Sequence, residues 1–535
     1  MIMTIRETIA GIVAINKQRI FLIDAGTGRA VTYGEFHRQA AALAADLRGR
    51  GAPSGERIAI SMPNCCELAV LYFACIELGA VIVPINPALN KSEIDYILGS
   101  CKPVLVVAGE SNAGSFEGSH VNVLILQTTM QKGRDSDGSG ILRIDALTDS
   151  NDFELFAGAE EAAVIMYTSG TSAKPKGLAH KLERMFRNAG AFAAAHDVDQ
   201  DSRFYLTLSM AYMGGFYNLL ILPFLCGASV VVDHVFDARS SLQFWDKARN
   251  NAVNTLWMAP TVLSILLRMD RGRAGEEFCR SSIRHAFVGF APLPLKVKDE
   301  FEKRYGLQLI ENYGLSETLF VTGRSASGNH EQGYVGEPIP GVSIRVVNGA
   351  GQAIAPGGDG EVQILTPDLM AGYLDDDGKL LELNASDWFA TGDVGHLDGQ
   401  GSLAITGRKK DIIIRGGVNI SPAAIEEILM QVESVSEVAV VSIPHELYGE
   451  DIVAVLKLDA GIELDHILDS VLAHAKRNLA QHQQPARYIA IDELPRTANG
   501  KVQKARIREL VAEKLQLGSH SNHVRPASLG APLSQ

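Results

Sequence analysis

Between residues 32 and 288, short apolar runs alternate with stretches of helical periodicity, and this alternation restricts the fold more than any other feature. Thr32-Tyr33-Gly34-Glu35 has a capping-box pattern, and Phe36, Ala40, Leu43 and Leu47 follow at helical spacing. Ile58-Ala59-Ile60 reads as a short buried strand, residues 67–78 as a helix, and residues 80–84 as another strand. Further apolar runs at 121–126, 162–167, 228–232 and 283–288 continue the pattern. Strands alternating with helices predict an α/β fold with doubly wound, mainly parallel sheets.

The texture changes twice. From about Gly333, Gly- and Pro-rich turns separate short strands at 342–347 and 360–365, which predicts a β-rich subdomain. Beyond Gly407-Arg408-Lys409-Lys410, a strand at 412–414 precedes Ser421-Pro422. That pair starts a helix with Ile425, Ile428, Leu429 and Val432 on one face. Strands at 438–443 and 452–456 complete a small α+β unit. A chain of 535 residues is too long for one core. The expected division is a large N-terminal domain over 1–408, a small mobile domain over 409–517, and a disordered tail over 518–535.

Composition excludes several classes. A net charge of −13 argues against a general nucleic-acid or anionic-membrane binder. The six cysteines have neither Cys-x-x-Cys spacing nor the pattern of a small disulfide framework, so a reduced, cytoplasmic setting is expected. No apolar run reaches the roughly 18 residues a spanning helix needs. The nearest, 219–232, is broken by Pro223 and Gly227 and reads as core. Nothing in the sequence specifies an oligomeric state.

The strand expected at 162–165 runs directly into Met166-Tyr167-Thr168-Ser169-Gly170-Thr171-Ser172-Ala173-Lys174-Pro175-Lys176-Gly177. Glycines let backbone N–H groups face a polyanion, hydroxyls add short donors, and Lys174 and Lys176 add charge. The spacing is not that of a P-loop, and a solvated loop would have a similar composition.

Five other segments are of types that ATP-driven carboxylate activation needs. After the strand at 283–288, Gly289-Phe290-Ala291 allows a flat ring or acyl chain to approach the backbone, as would a plain turn. Asn312-Tyr313-Gly314-Leu315-Ser316-Glu317-Thr318 offers an aromatic ring, amide and hydroxyl groups, and a carboxylate; one carboxylate suffices for Mg²⁺ when phosphates supply other ligands. Asp393, in Thr391-Gly392-Asp393, is suited to ribose hydroxyls or to an Asp turn. Arg408 is suited to ribose or phosphate, or belongs to a solvated charge cluster. Asn499-Gly500 forms a tight turn presenting Lys501.

Taken in order and spacing, these six segments resemble the adenylate-forming superfamily of acyl- and aryl-CoA synthetases, adenylation domains and beetle luciferase. The resemblance covers about residues 32–504. It implies that Thr168, Ser169, Gly170, Thr171 and Lys176 hold the ATP phosphates, with Thr171, Glu317 and Lys501 catalytic and Glu317 the Mg²⁺ ligand. Ala291, Asn312, Tyr313, Gly314 and Thr318 would surround the nucleotide, and Asp393 and Arg408 would bind ribose. Lys410 matches a hinge, and Lys501 the lysine that bridges substrate carboxylate and α-phosphate.

Arg415-Gly416-Gly417-Val418-Asn419 resembles the acyl-CoA synthetase pattern, so CoA is the expected acceptor and Gly416 and Gly417 are expected along its passage. A carrier-protein phosphopantetheine is the alternative. A nucleotide-binding pseudoenzyme is disfavoured by Glu317, Asp393 and Lys501 occurring together. Many relatives have Pro-x-x-His where this chain has Ser209-Met210-Ala211-Tyr212, and Phe290 stands where glycine is usual. Tyr212, Met213, Phe216 and Phe290 are therefore expected to wall a pocket for a small-to-medium aliphatic or aromatic carboxylic acid.

Overall fold

The protein was studied as a computed structural model, which describes residues 4–52, 54–127, 141–143, 163–168, 175–323, 333–496 and 502–516. Two large sheets enclose helices between them. The first has nine strands in the order Leu380–Glu382, Gly372–Leu374, Lys176–Lys181, Ala163–Thr168, Val81–Pro84, Arg57–Ser61, Leu105–Gly109, Asn122–Gln127 and Ile141–Arg143. The six strands from Ala163–Thr168 to Ile141–Arg143 are parallel, whereas Ala163–Thr168 and Lys176–Lys181 pair antiparallel. The second sheet orders Ile310–Glu311, His285–Val288, Thr255–Met258, Arg203–Leu206, Ser229–Val232, Ile20–Asp24 and Ala30–Thr32, with only the last pair antiparallel.

The capping box expected at Thr32 is present, with Glu35 Oε2 accepting the Thr32 N–H at 2.9 Å, and it starts the helix Tyr33–Gly49. Every residue of the helix Cys66–Leu78 is buried, which explains its apolar character on all faces. Phe21, Phe36, Phe73 and Phe224 lock these layers, with centroids 4.7 Å apart for Phe21–Phe36 and 4.5 Å for Phe73–Phe224.

The apolar stretch near 219–232 is core as expected, but it begins in an unexpected form. Gly214–Ile221 is a π-helix continuing into the short helix Leu222–Leu225. Gly215 fits because a Cβ there would stand 2.3 Å from the Ser209 carbonyl oxygen. The β-rich part is a four-stranded antiparallel sheet of Ser343–Val347, Gly360–Leu365, Phe389–Leu397 and Leu403–Arg408.

After this sheet, Val418–Ile420, Ile413–Arg415, Gly449–Leu458 and Val435–His445 form another sheet, with Arg487–Ala490 added parallel to Gly449–Leu458. Its core of Ile413, Ile425, Leu429, Val440, Ile452 and Leu456 is separate from those of the large sheets. The helix Pro422–Met430 starts at Ser421 as predicted. The Ser421 hydroxyl makes no cap bond, however, and instead donates to the Thr406 carbonyl at 2.5 Å.

Candidate active site

In open, mainly parallel sheets, ligands gather beyond the carboxyl ends of the strands. Four segments singled out in the sequence leave strands there. Thr168 ends one strand, Gly289–Ala291 follow His285–Val288, Asn312 follows Ile310–Glu311, and Tyr212 follows Arg203–Leu206. Thr168 pairs with Lys176, so the two strands bracket residues 169–175. Ser169, Gly170 and Thr171 lie outside the described residues, as do Lys501, the Asn499-Gly500 turn and the 518–535 tail.

Several of the remaining residues are linked by direct contacts. The Lys176 ammonium lies 5.7 Å from the centroid of the Tyr373 ring, and the Tyr373 hydroxyl donates to Glu317 Oε1 at 3.0 Å. Burial and the adjacent Glu317 carboxylate raise the pKa of the Tyr373 phenol, keeping it protonated as a donor. Glu317 occupies the three-residue tip between Gly314–Leu315 and Leu319–Phe320, which pair antiparallel. Glycine is required at 314, where a Cβ would meet the Leu319 carbonyl oxygen at 2.3 Å. The tip is held from outside: the Glu317 carbonyl accepts Met370 N–H at 2.8 Å, and His180 Nε2 lies 2.6 Å from the Ser316 carbonyl.

Just before this hairpin, the Tyr313 hydroxyl donates to Asp393 Oδ2 at 2.5 Å, while Arg408 Nε contacts Asp393 Oδ1 at 2.8 Å. The register of Phe389–Leu397 against Leu403–Arg408 sets Asp393 opposite Arg408. Asp393 is only 2% exposed, and its carboxylate still has acceptor capacity beyond these two bonds. Burial foremost, then the Asp393 charge, pushes the Tyr313 phenol well above its usual range.

On the opposite side, Asn312 Nδ2 donates to the Val288 carbonyl at 3.1 Å, and a Cβ on Gly289 would lie 3.1 Å from Asn312 Oδ1. Phe290 follows with φ +74°, a left-handed conformation that a bulky L-residue rarely adopts. Its ring covers Gly214, where a Cβ would stand 3.0 Å from both Cε1 and Cζ. Ala291 is exposed beside it. The Tyr212 hydroxyl accepts a hydrogen bond from Asn86 Nδ2 at 3.1 Å. Met213 is half-buried against the main core. Phe216, expected as a pocket wall, has no exposed surface and packs edge-on against Tyr72 with centroids 5.0 Å apart.

Lys410 lies in the turn Lys409–Asp411 that follows Arg408. Partial burial lowers the pKa of its ammonium despite the neighbouring Asp411 charge. Gly416 and Gly417, at φ +59° and +82°, form a two-residue connection between Ile413–Arg415 and Val418–Ile420. Positive φ at both centres is what a type I′ hairpin turn demands, so the pair forms a tight turn.

Tyr373 and His180 belong to no motif noticed in the sequence. Thr318 is fully buried, and its hydroxyl has no partner among the described residues. Among the described residues no group of three or more His, Cys, Asp or Glu side chains is arranged to hold a metal. Glu317 Oε1 takes the Tyr373 hydroxyl, and Oε2 makes no recorded bond among the described residues. This fits a Mg²⁺ ion drawing its other ligands from phosphates and water. No helix among the described residues is long and apolar enough to cross a membrane.

The arrangement defines a class of enzymes that activate acids as adenylates. The AMP-binding enzyme profile matches residues 12–374, and that of the AMP-binding enzyme C-terminal domain matches 424–501. The chain belongs to this family and is an ATP-dependent, AMP-forming acid–CoA ligase that uses Mg²⁺. It is 31% identical to indoleacetate–CoA ligase of Aromatoleum aromaticum, over 91% of this chain and 94% of that one. Identity with the medium-chain fatty-acid–CoA ligase of Escherichia coli is 28%, over 91% and 87% of the two chains. ATP-bound MatB from Rhodopseudomonas palustris superposes with a TM-score of 0.83 at 26% identity, covering 95% of this chain and 99% of that one.

Proposed function

We propose that this ligase activates a small-to-medium aliphatic or aromatic acid, with the residues linked above as its adenylation site. The observation supporting this reading most directly is the Phe290 ring, held in a left-handed backbone conformation over Gly214 beside Tyr212 and Met213. A ring there closes the pocket against long chains. Phe216 is better assigned to packing, which leaves Tyr212, Met213 and Phe290 as the walls.

A carboxylate is a poor acyl donor because its leaving group would be oxide. In the first half-reaction a carboxylate oxygen attacks the α-phosphorus, forming the acyl–phosphate bond as the bond to pyrophosphate breaks. In the second, the CoA sulfur attacks the acyl carbon and AMP leaves. Two anions meet in the first step, so cationic groups fixed in advance lower its barrier.

Lys176 and the hydroxyls of 168–172 are assigned to the phosphates, and Asn312, Tyr313, Gly314, Thr318 and Ala291 to the nucleotide. Asp393 and Arg408 are assigned to the ribose, and Lys501 to the reacting carboxylate and α-phosphate. Mg²⁺, when held by Glu317, supplies positive charge to the departing phosphates. Lys410 is assigned as the pivot between the units 1–408 and 409–517, and Gly416-Gly417 to the pantetheine passage.

The test is an ATP–pyrophosphate exchange screen over short-chain, medium-chain, aryl and amino acids, followed by thioester formation with CoA or a carrier protein. Preference for acids longer than about ten carbons, or for amino acids, would overturn the substrate reading. No exchange with any acid would overturn the activity.

A further inference from the structure

His180 is fully buried in the strand Lys176–Lys181, directly after the segment assigned to the phosphates, and pairs with Val164. Its Nε2 lies 2.6 Å from the carbonyl oxygen of Ser316, 136 residues away and next to Glu317. A carbonyl has no proton to give, so Nε2 carries the hydrogen and donates. Nδ1 is then the bare nitrogen of a neutral ring, and it is buried without a partner among the described residues. Burial pulls the His180 pKa down to about 4, which favours the same neutral form.

An unpaired ring nitrogen in a core is costly, and the neighbouring Leu178 and Ala179 show that apolar side chains suit this part of the strand. What histidine supplies here, and an apolar residue could not, is the bond to the hairpin tip. The far side of the hairpin is fixed separately: Phe320 donates its N–H to Asn188 Oδ1 at 2.9 Å and accepts from Asn188 Nδ2 at 3.0 Å. His180 therefore connects the tip to the strand that carries the phosphate segment.

We propose that His180 is a positioning residue that holds the Glu317 hairpin tip against the strand Lys176–Lys181 by donating from Nε2 to the Ser316 carbonyl. This rests on the assignment of Mg²⁺ to Glu317. Without the bond, the tip turns more freely and the carboxylate meets the metal–phosphate complex less often in a productive position.

The test measures ATP binding to the full chain by calorimetry across a Mg²⁺ series, together with the KM for the acid. His180→Leu should raise the Mg²⁺ needed for half-maximal ATP binding by about 10-fold, the low end of what loss of a ligand-orienting partner costs, and leave the acid KM within about twofold. His180→Gln keeps an N–H donor at similar reach and should recover most of the difference. If the leucine variant does not fold, His180→Asn, too short to reach the carbonyl, takes its place. Glu317→Gln is the reference. If it leaves the Mg²⁺ requirement unchanged, the metal assignment fails. If it raises the requirement while the His180 variants do not, the positioning role fails. Equal weakening of acid and Mg²⁺ binding in leucine and glutamine variants alike would also overturn the role, since that is what general disruption of the strand produces.

Discussion

Phe290→Gly separates two effects that meet at one residue. A left-handed φ costs an L-residue about 1–2 kcal/mol, and glycine removes that cost. The ring is 36% exposed, so losing its buried part costs a comparable amount, about 1–2 kcal/mol. The fold should therefore keep its stability to within about 1 kcal/mol, whereas the pocket gains the volume of a benzyl group over Gly214. Each further methylene buried there is worth about 0.8 kcal/mol, roughly fourfold in kcat/KM, so two methylenes give about 15-fold. Pyrophosphate release with straight-chain acids of increasing length measures this: the wild-type profile should fall where the chain meets the ring, and the variant profile should shift to longer acids. Phe290→Ala opens the same space but keeps the strained φ, so it should show the same specificity shift at lower thermal stability. An unchanged chain-length profile in both variants would refute the blocking role, whatever their melting temperatures.

Three other substitutions test the assigned site. Lys501→Ala should slow adenylation on the order of 10²- to 10³-fold while thioester formation from preformed acyl-adenylate suffers less; equal loss in both half-reactions counts against its role. Lys410→Pro restricts φ at the assigned pivot and should impair thioester formation more than pyrophosphate release, as rapid single-turnover assays of each step would reveal. Tyr313→Phe removes the hydroxyl bonded to Asp393 at 2.5 Å and should raise the KM for ATP about 10-fold, in line with a lost hydrogen bond to a charged group, with the acid KM unchanged.

Much of the fold was legible because local chemistry marks element ends. Thr32 with Glu35 starts a helix, an apolar run of four to six residues makes a buried strand, and Pro422 opens a helix. Legibility failed where tertiary packing overrode local pattern. The π-helix Gly214–Ile221 goes with a close approach of Gly215 to Ser209, which no periodicity encodes. Phe216, read as a pocket wall, is indistinguishable in sequence from the core residue it is.

The candidate site divides along a related line. Glu317, Asp393 and Arg408 stood out because phosphates, ribose and metal ions restrict which residue types can meet them. Tyr373, His180 and Asn188 did not, although each hydrogen-bonds to Glu317 or to the hairpin that carries it. A supporting residue needs only a donor or acceptor at the right point in space, and many residue types at distant positions in the chain can provide one. His180 and Asn188 reach the Glu317 hairpin across 136 and 132 residues, so only the folded arrangement identifies them. The proposed specificity draws on both groups: Phe290 is unusual by type, whereas the space its ring takes up lies over Gly214, an ordinary glycine until the ring is found lying against it.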